Sequence, residues 1–85
     1  MKYTLTRRRM SYNTKKPTQF IEWMMNNDLE KWENINEFMN GYANRKFRFE
    51  KIILRVDSIE NFLTDLEKNN LLIIEKPKTF FSLFQ

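Results

Sequence analysis

Apolar residues recur at steps of three and four through the middle of this chain, while its two ends carry shorter runs of strand-like composition. The best-marked stretch runs from Asp57 to Phe84. Ile59, Phe62, Leu63 and Leu66 line one face of a predicted helix, and Asp57 with Glu60 three residues later has the spacing of a capping box. Asn69 and Asn70 suit the left-handed turn that ends such a helix. Leu71 to Ile74 then reads as a strand, Glu75 to Lys78 as a turn, and Thr79 to Phe84 as a second strand. Pro77 belongs in the turn because it has no N–H for a ladder.

Upstream, Pro17 opens a short predicted helix carrying Phe20, Ile21, Trp23, Met24 and Met25, and Asn26-Asn27 close it. From Asp28, its expected N-cap, a second helix buries Leu29, Trp32, Ile35, Phe38 or Met39, and Tyr42. Gly41 near its end costs about 1 kcal/mol relative to Ala unless it lets backbones approach closely. The run RKFRFEKIILRV, Arg45 to Val56, has strand-like composition, yet Phe49, Ile52, Ile53 and Val56 fall at i, i+3, i+4 and i+7. The spacing therefore predicts helix over 47–56, turning a tight corner near Arg55 to Asp57 into the next helix.

The first sixteen residues carry Lys2, Arg7, Arg8, Arg9, Lys15 and Lys16 without an acid. They read either as a basic N-terminal arm or as an edge strand, since Tyr3, Leu5 and Arg7 alternate with Thr4 and Thr6. Residues 17–85 form the rest of a single small domain, as befits a chain of 85 residues. Cysteine and histidine are both absent, which removes disulfides, thiolate metal sites and the commonest general base. The expectation is a non-enzyme with no catalytic residue, metal or cofactor. There is no apolar run long enough to span a membrane and no signal-peptide core, so no membrane partner and a cytoplasmic location are expected. The single glycine and the abundance of Asn, Lys, Ile and Phe suit an AT-rich genome and a phage- or plasmid-encoded chain inside its host cell.

The run LTDLEKNNLLIIEKPKTFFSLF resembles the end of the recognition helix and the wing of winged helix-turn-helix proteins. Leu66-Glu67, Asn70, Leu71-Leu72 and a Lys76-Pro77-Lys78 wing tip carry that resemblance, which covers roughly Phe47 to Phe84. It implies a mainly α fold with a small β-hairpin, Asp57 to Asn69 in the place of a major-groove helix, and the wing turn on the nucleic-acid backbone. Departing from the family's pattern, that helix carries Asp57, Glu60, Asp65 and Glu67 against one lysine, which repels phosphates. If 47–56 is instead a strand, the alternative fold is an α+β ferredoxin-like sandwich.

With fifteen Lys+Arg against eleven Asp+Glu, the net charge of +4 favours polyanions. The first functional expectation is a small DNA-binding or other nucleic-acid-binding protein, of the kind that regulates transcription. It would contact phosphates through Lys2, Arg7, Arg8, Arg9, Lys15, Lys16, Arg48, Arg55, Lys76 and Lys78, with Asn61 and Thr64 facing base edges. The alternative is a protein-binding inhibitor or adaptor, for example a phage-encoded inhibitor of a host nucleic-acid enzyme. That protein would use Glu60, Asp65 and Glu67 on an acidic helix face, or Phe80, Phe81 and Phe84. A homodimeric structural module is the third reading.

Overall fold

In a computed structural model of the chain, residues 1–76 are described. Tyr3 and Leu5 point into the core from β1 (Lys2–Leu5), which turns through Thr6 to Arg9 into β2 (Met10–Asn13). Three helices follow, α1 (Pro17–Asn26), α2 (Ile35–Glu50) and α3 (Ile59–Lys68), and then β3 (Leu72–Glu75). Both β2 and β3 pair antiparallel with β1, giving the sheet order β2-β1-β3. The class is α+β.

The N-terminal segment is thus a hairpin in the sheet: its second strand, β2, forms an edge, whereas β1, where the Tyr3 and Leu5 alternation suggested the edge, is the middle strand. The strand after α3 exists as expected, but its partner is β1: Leu5 lies opposite Leu72 and Lys2 opposite Glu75. The helix-corner-helix of the winged-helix expectation is replaced by an extended segment between α2 and α3, and β3 pairs with the N-terminal strand. The expected second strand, Thr79 to Phe84, lies outside the described residues.

Each helix is set by its ends and by one apolar face. Pro17 opens α1, whose Phe20, Ile21 and Met24 are buried. For α2 the start differs from the expectation: Asn34, not Asp28, is the N-cap and accepts a hydrogen bond from the Glu37 N–H. Residues 28–34 are a loop in which Leu29 is 94% exposed, and Asp28 turns inward to pair with other side chains. α2 runs through Gly41 without a break. The Trp32 indole lies against that glycine, where a Cβ would overlap the ring, so side-chain rather than backbone approach explains it.

The segment 47–56 divides. Phe47 to Glu50 complete α2, Lys51 ends it in the left-handed region (φ 59°), and the chain then extends without entering a ladder. The helix expected to continue to Val56 is absent, and so is the paired strand that the ferredoxin-like alternative needs. Leu54 is the buried residue of this stretch, whereas Phe49 (75% exposed) and Ile53 (72%) face solvent. The spacing that suggested a helix skipped Leu54; inward Ile52, Leu54 and Val56 follow the period-two pattern of an extended chain instead.

α3 begins at Ser58, one residue after the expected cap; the Ser58 hydroxyl accepts from the Asn61 N–H, and Asp57 accepts from the Asn61 side-chain amide. It ends as expected, with Asn70 left-handed (φ 58°). The core gathers Tyr3, Phe20, Phe38, Phe62 and Leu66, with Tyr3 stacked on Phe20 at 4.4 Å between centroids. Replacing Gly41 with Ala should improve helix propensity by about 1 kcal/mol but displace Trp32, at an overpacking cost of about 1–3 kcal/mol. A lowered thermal midpoint with red-shifted tryptophan emission is expected; a raised midpoint would show that the indole is free to move.

Candidate functional site

The residues with most chemistry to offer meet where the β1–β2 turn arches over the gap between α1 and α2. The turn is pinned from below. Its Thr6 N–H donates to the Leu71 carbonyl at 3.2 Å and its Thr6 hydroxyl to the Asn70 carbonyl at 2.7 Å. Arg9, left-handed at φ 53°, closes it through its N–H on the Leu5 carbonyl. Arg7 then reaches sideways to Glu50 of α2, and Arg8 donates across the other side to the Asn27 carbonyl at 2.9 Å, at the end of α1. All three arginines are exposed.

Beneath the turn is a cavity of about 300 Å³. Leu5, Met24, Phe38, Tyr42 and Leu71 supply its apolar walls, and Arg7, Arg8, Arg45, Lys46 and Asp28 its polar ones. Asp28 accepts from Trp32 Nε1 at 2.8 Å and from Arg45 Nη2 at 2.7 Å. Burial pushes its carboxyl up, but the hydrogen bonds from Arg45, Trp32 and the Glu30 N–H outweigh that and hold it below the usual aspartate range. Glu50, hydrogen-bonded by Arg7 and by Lys46 at 3.0 Å, is also held below the ordinary range. Burial raises the Tyr42 hydroxyl above its ordinary value, so it stays protonated at neutral pH. Of the cations at the mouth, Arg7 and Lys46 share the carboxylate of Glu50 and Arg8 rests on the Asn27 carbonyl, while Arg45 is occupied by Asp28 and lies 3.8 Å from Glu30.

The other cations named from the sequence do not join this group. Strand register puts Lys2 at the opposite end of the sheet, beside Asn13 and Glu75, and Lys15, Lys16 and Lys76 follow the strand ends there. Arg48 is exposed on α2 with its guanidinium over the Phe49 ring. Arg55 is held by Asp65, which accepts from the Arg55 backbone N–H at 2.8 Å and from Nε and Nη2 at 3.0 Å each. Lys78 lies outside the described residues.

On α3, Asn61 is committed to Asp57 and Ser58, and Thr64 is half-buried. Of the acidic set, Glu60 and Glu67 are exposed, but Asp65 is turned inward at 7% exposure. Phe80, Phe81 and Phe84 lie outside the described residues. A different apolar surface stands open instead: Phe47 (47% exposed) and Ile53 (72%) line a groove with Ala43, Ile52 and Leu54.

Sequence reasoning placed Tyr42 in the core and assigned no role to Glu50. The i, i+4 spacing of Lys46 and Glu50 was a usable signal for the latter. Nothing local signals that Asp28 belongs to the cavity wall, since its partner Arg45 is seventeen residues away. Among the described residues no group of three or more acidic, His or Cys side chains is placed to hold a metal ion, and no helix is long and apolar enough to cross a membrane. No protein-family model matches the chain, and neither a curated protein nor a solved structure is found to match it.

Asp65 is also held below its ordinary range, chiefly by its hydrogen bonds from the Arg55 side chain and then from the Arg55 N–H. A depressed folded-state pKa adds stability above the unfolded value, near pH 4, and that stability is lost as pH falls through the folded value. With no His or Cys in the sequence, the thermal midpoint should be nearly flat from about pH 5 to 8 and fall below about pH 4. Asp65→Asn should lower the neutral-pH midpoint by about 4–8 °C, the shift that about 1 kcal/mol produces in a domain of this size, and flatten the acid limb. An unchanged acid limb in thermal melts of the variant would remove Asp65 from that account.

Proposed function

We propose that this is a small nucleic-acid-binding protein that contacts phosphates through the Arg7-Arg8-Arg9 turn. The supporting observation is that three consecutive, exposed arginines sit on a hairpin turn whose flanks are hydrogen-bonded to the protein body, Arg7 and Arg8 resting on Glu50 and the Asn27 carbonyl until a phosphate displaces them. Guanidinium groups match phosphate oxygens with two parallel donors, and an anchored turn loses less freedom on binding than a mobile tail does. Lys15 and Lys16 stand apart from the turn, about 20 Å away at the other end of the edge strand β2, where they would meet a separate phosphate. A regulator of phage or plasmid type acting in the cell interior belongs to this reading.

A winged-helix-like use of α3 would have to be secondary. Glu60 and Glu67 are exposed there and repel phosphates, while Arg55 is already bound to Asp65. The affinity is therefore assigned to the hairpin, and little base discrimination is expected from α3.

Binding of random duplex and single-stranded DNA should weaken steeply with added salt. Replacing Arg7, Arg8 and Arg9 together with Ala should reduce the log–log salt slope by about 2–3, at about 0.9 per lost duplex phosphate contact. Negligible binding at low salt, or an unchanged slope in the triple variant, sinks the proposal.

The exposed Phe47 and Ile53 favour a second reading, in which the protein is an adaptor or inhibitor that binds another protein through the groove beside α2. Phe47→Ser with Ile53→Ser should then abolish a complex formed by the unaltered protein while shifting its thermal midpoint by only a few degrees. Retention of that complex by the double variant would exclude the groove.

A further inference from the structure

We infer that the cavity under the arginine turn is a binding site for a small amphipathic carboxylate, with an aliphatic or arylalkyl body on its apolar walls and its anionic head between Arg7 and Arg8. Three observations carry this. The first is shape and lining: at about 300 Å³ the cavity is at the lower end of small-molecule sites, and Leu5, Met24, Phe38 and Leu71 give it a hydrocarbon interior.

The second is the charge at its mouth. Among the described residues Arg8 donates to the neutral Asn27 carbonyl alone, for which a carboxylate is a stronger replacement. Arg7 shares Glu50 with Lys46, so a ligand carboxylate can take Arg7 while Lys46 keeps Glu50 neutralised. The third concerns selectivity. Asp28, the carboxylate in the wall, is already satisfied by Arg45 and Trp32, so an amine would meet a cationic mouth and a lining carboxylate that is engaged. An uncharged alcohol would fill the cavity but leave the arginines as they are.

The inference does not rest on the nucleic-acid reading, and its test contains no nucleic acid, so the two fail separately. The full chain would be titrated with octanoate and 4-phenylbutanoate, below micelle-forming concentrations, by calorimetry and by NMR of the Met24 methyl and Tyr42 ring. Octanol, octylamine and adenosine monophosphate would be the comparison ligands.

The carboxylates should bind, perturb both resonances and raise the thermal midpoint. Octanol should bind about tenfold more weakly or worse, as expected for losing charge-assisted hydrogen bonds, and octylamine should not bind. Arg8→Ala, a change at an exposed position, should weaken octanoate about tenfold, and Arg7→Ala with Arg8→Ala should abolish the preference over octanol. Equal affinity for octanol and octanoate, octanoate binding unaffected in the double variant, or binding of the nucleotide alone would each overturn the inference. So would the absence of octanoate binding at millimolar concentration.

Discussion

The antiparallel pairing of β1 with β3 is the constraint on which the other elements depend. It joins residue 2 to residue 75, so the two ends of the described chain meet in one sheet with Leu5 against Leu72. Closing so long a loop is entropically expensive, and the burial of Tyr3, Leu5 and Leu72 against α1 and α3 offsets that cost. The same register seats Thr6 on Asn70 and Leu71. A one-residue slip would turn Tyr3 and Leu5 to solvent and carry the arginine turn away from α2.

A second constraint works on the long connection between α2 and α3. Once Lys51 has ended α2, residues 52–56 pair with no strand among the described residues, and Asp65 accepts both the backbone N–H and the guanidinium of Arg55. One buried carboxylate thereby holds the extended segment against α3 and presents Leu54 to the core. The sequence by itself suggests Arg55 as a phosphate contact and Asp65 as a member of an acidic face. Their real distinction is mutual, which a list of charges along the chain cannot reveal.

The site shows the same division of labour. The triple arginine was visible at once as the densest cationic run, and its placement in a turn follows from β1 and β2 on either side. Its relation to the other cations was not visible. Lys2, Lys15, Lys16 and Lys76 are displaced to the far end of the sheet by strand register, whereas Arg45 and Lys46 come to the turn because α2 packs beneath it. Glu50 and Asp28 then decide which positive charges are spoken for, and only the tertiary arrangement brings these carboxylates to their partners.

By itself the sequence determined what depends on neighbours a few residues apart. The helix opened by Pro17, the helical face of Ile59, Phe62, Leu63 and Leu66, the left-handed Asn70, and the strand that follows all rest on local dihedral preferences and short periodicities. The tertiary structure alone decided what depends on distant partners. It made β1 the central strand, Gly41 the seat of Trp32 and Asp65 the anchor of Arg55, and it chose extension for 52–56, where hydrophobic spacing fits helix and strand alike. Periodicity reports which faces are apolar; which surface buries them is settled by packing against residues far away in the chain.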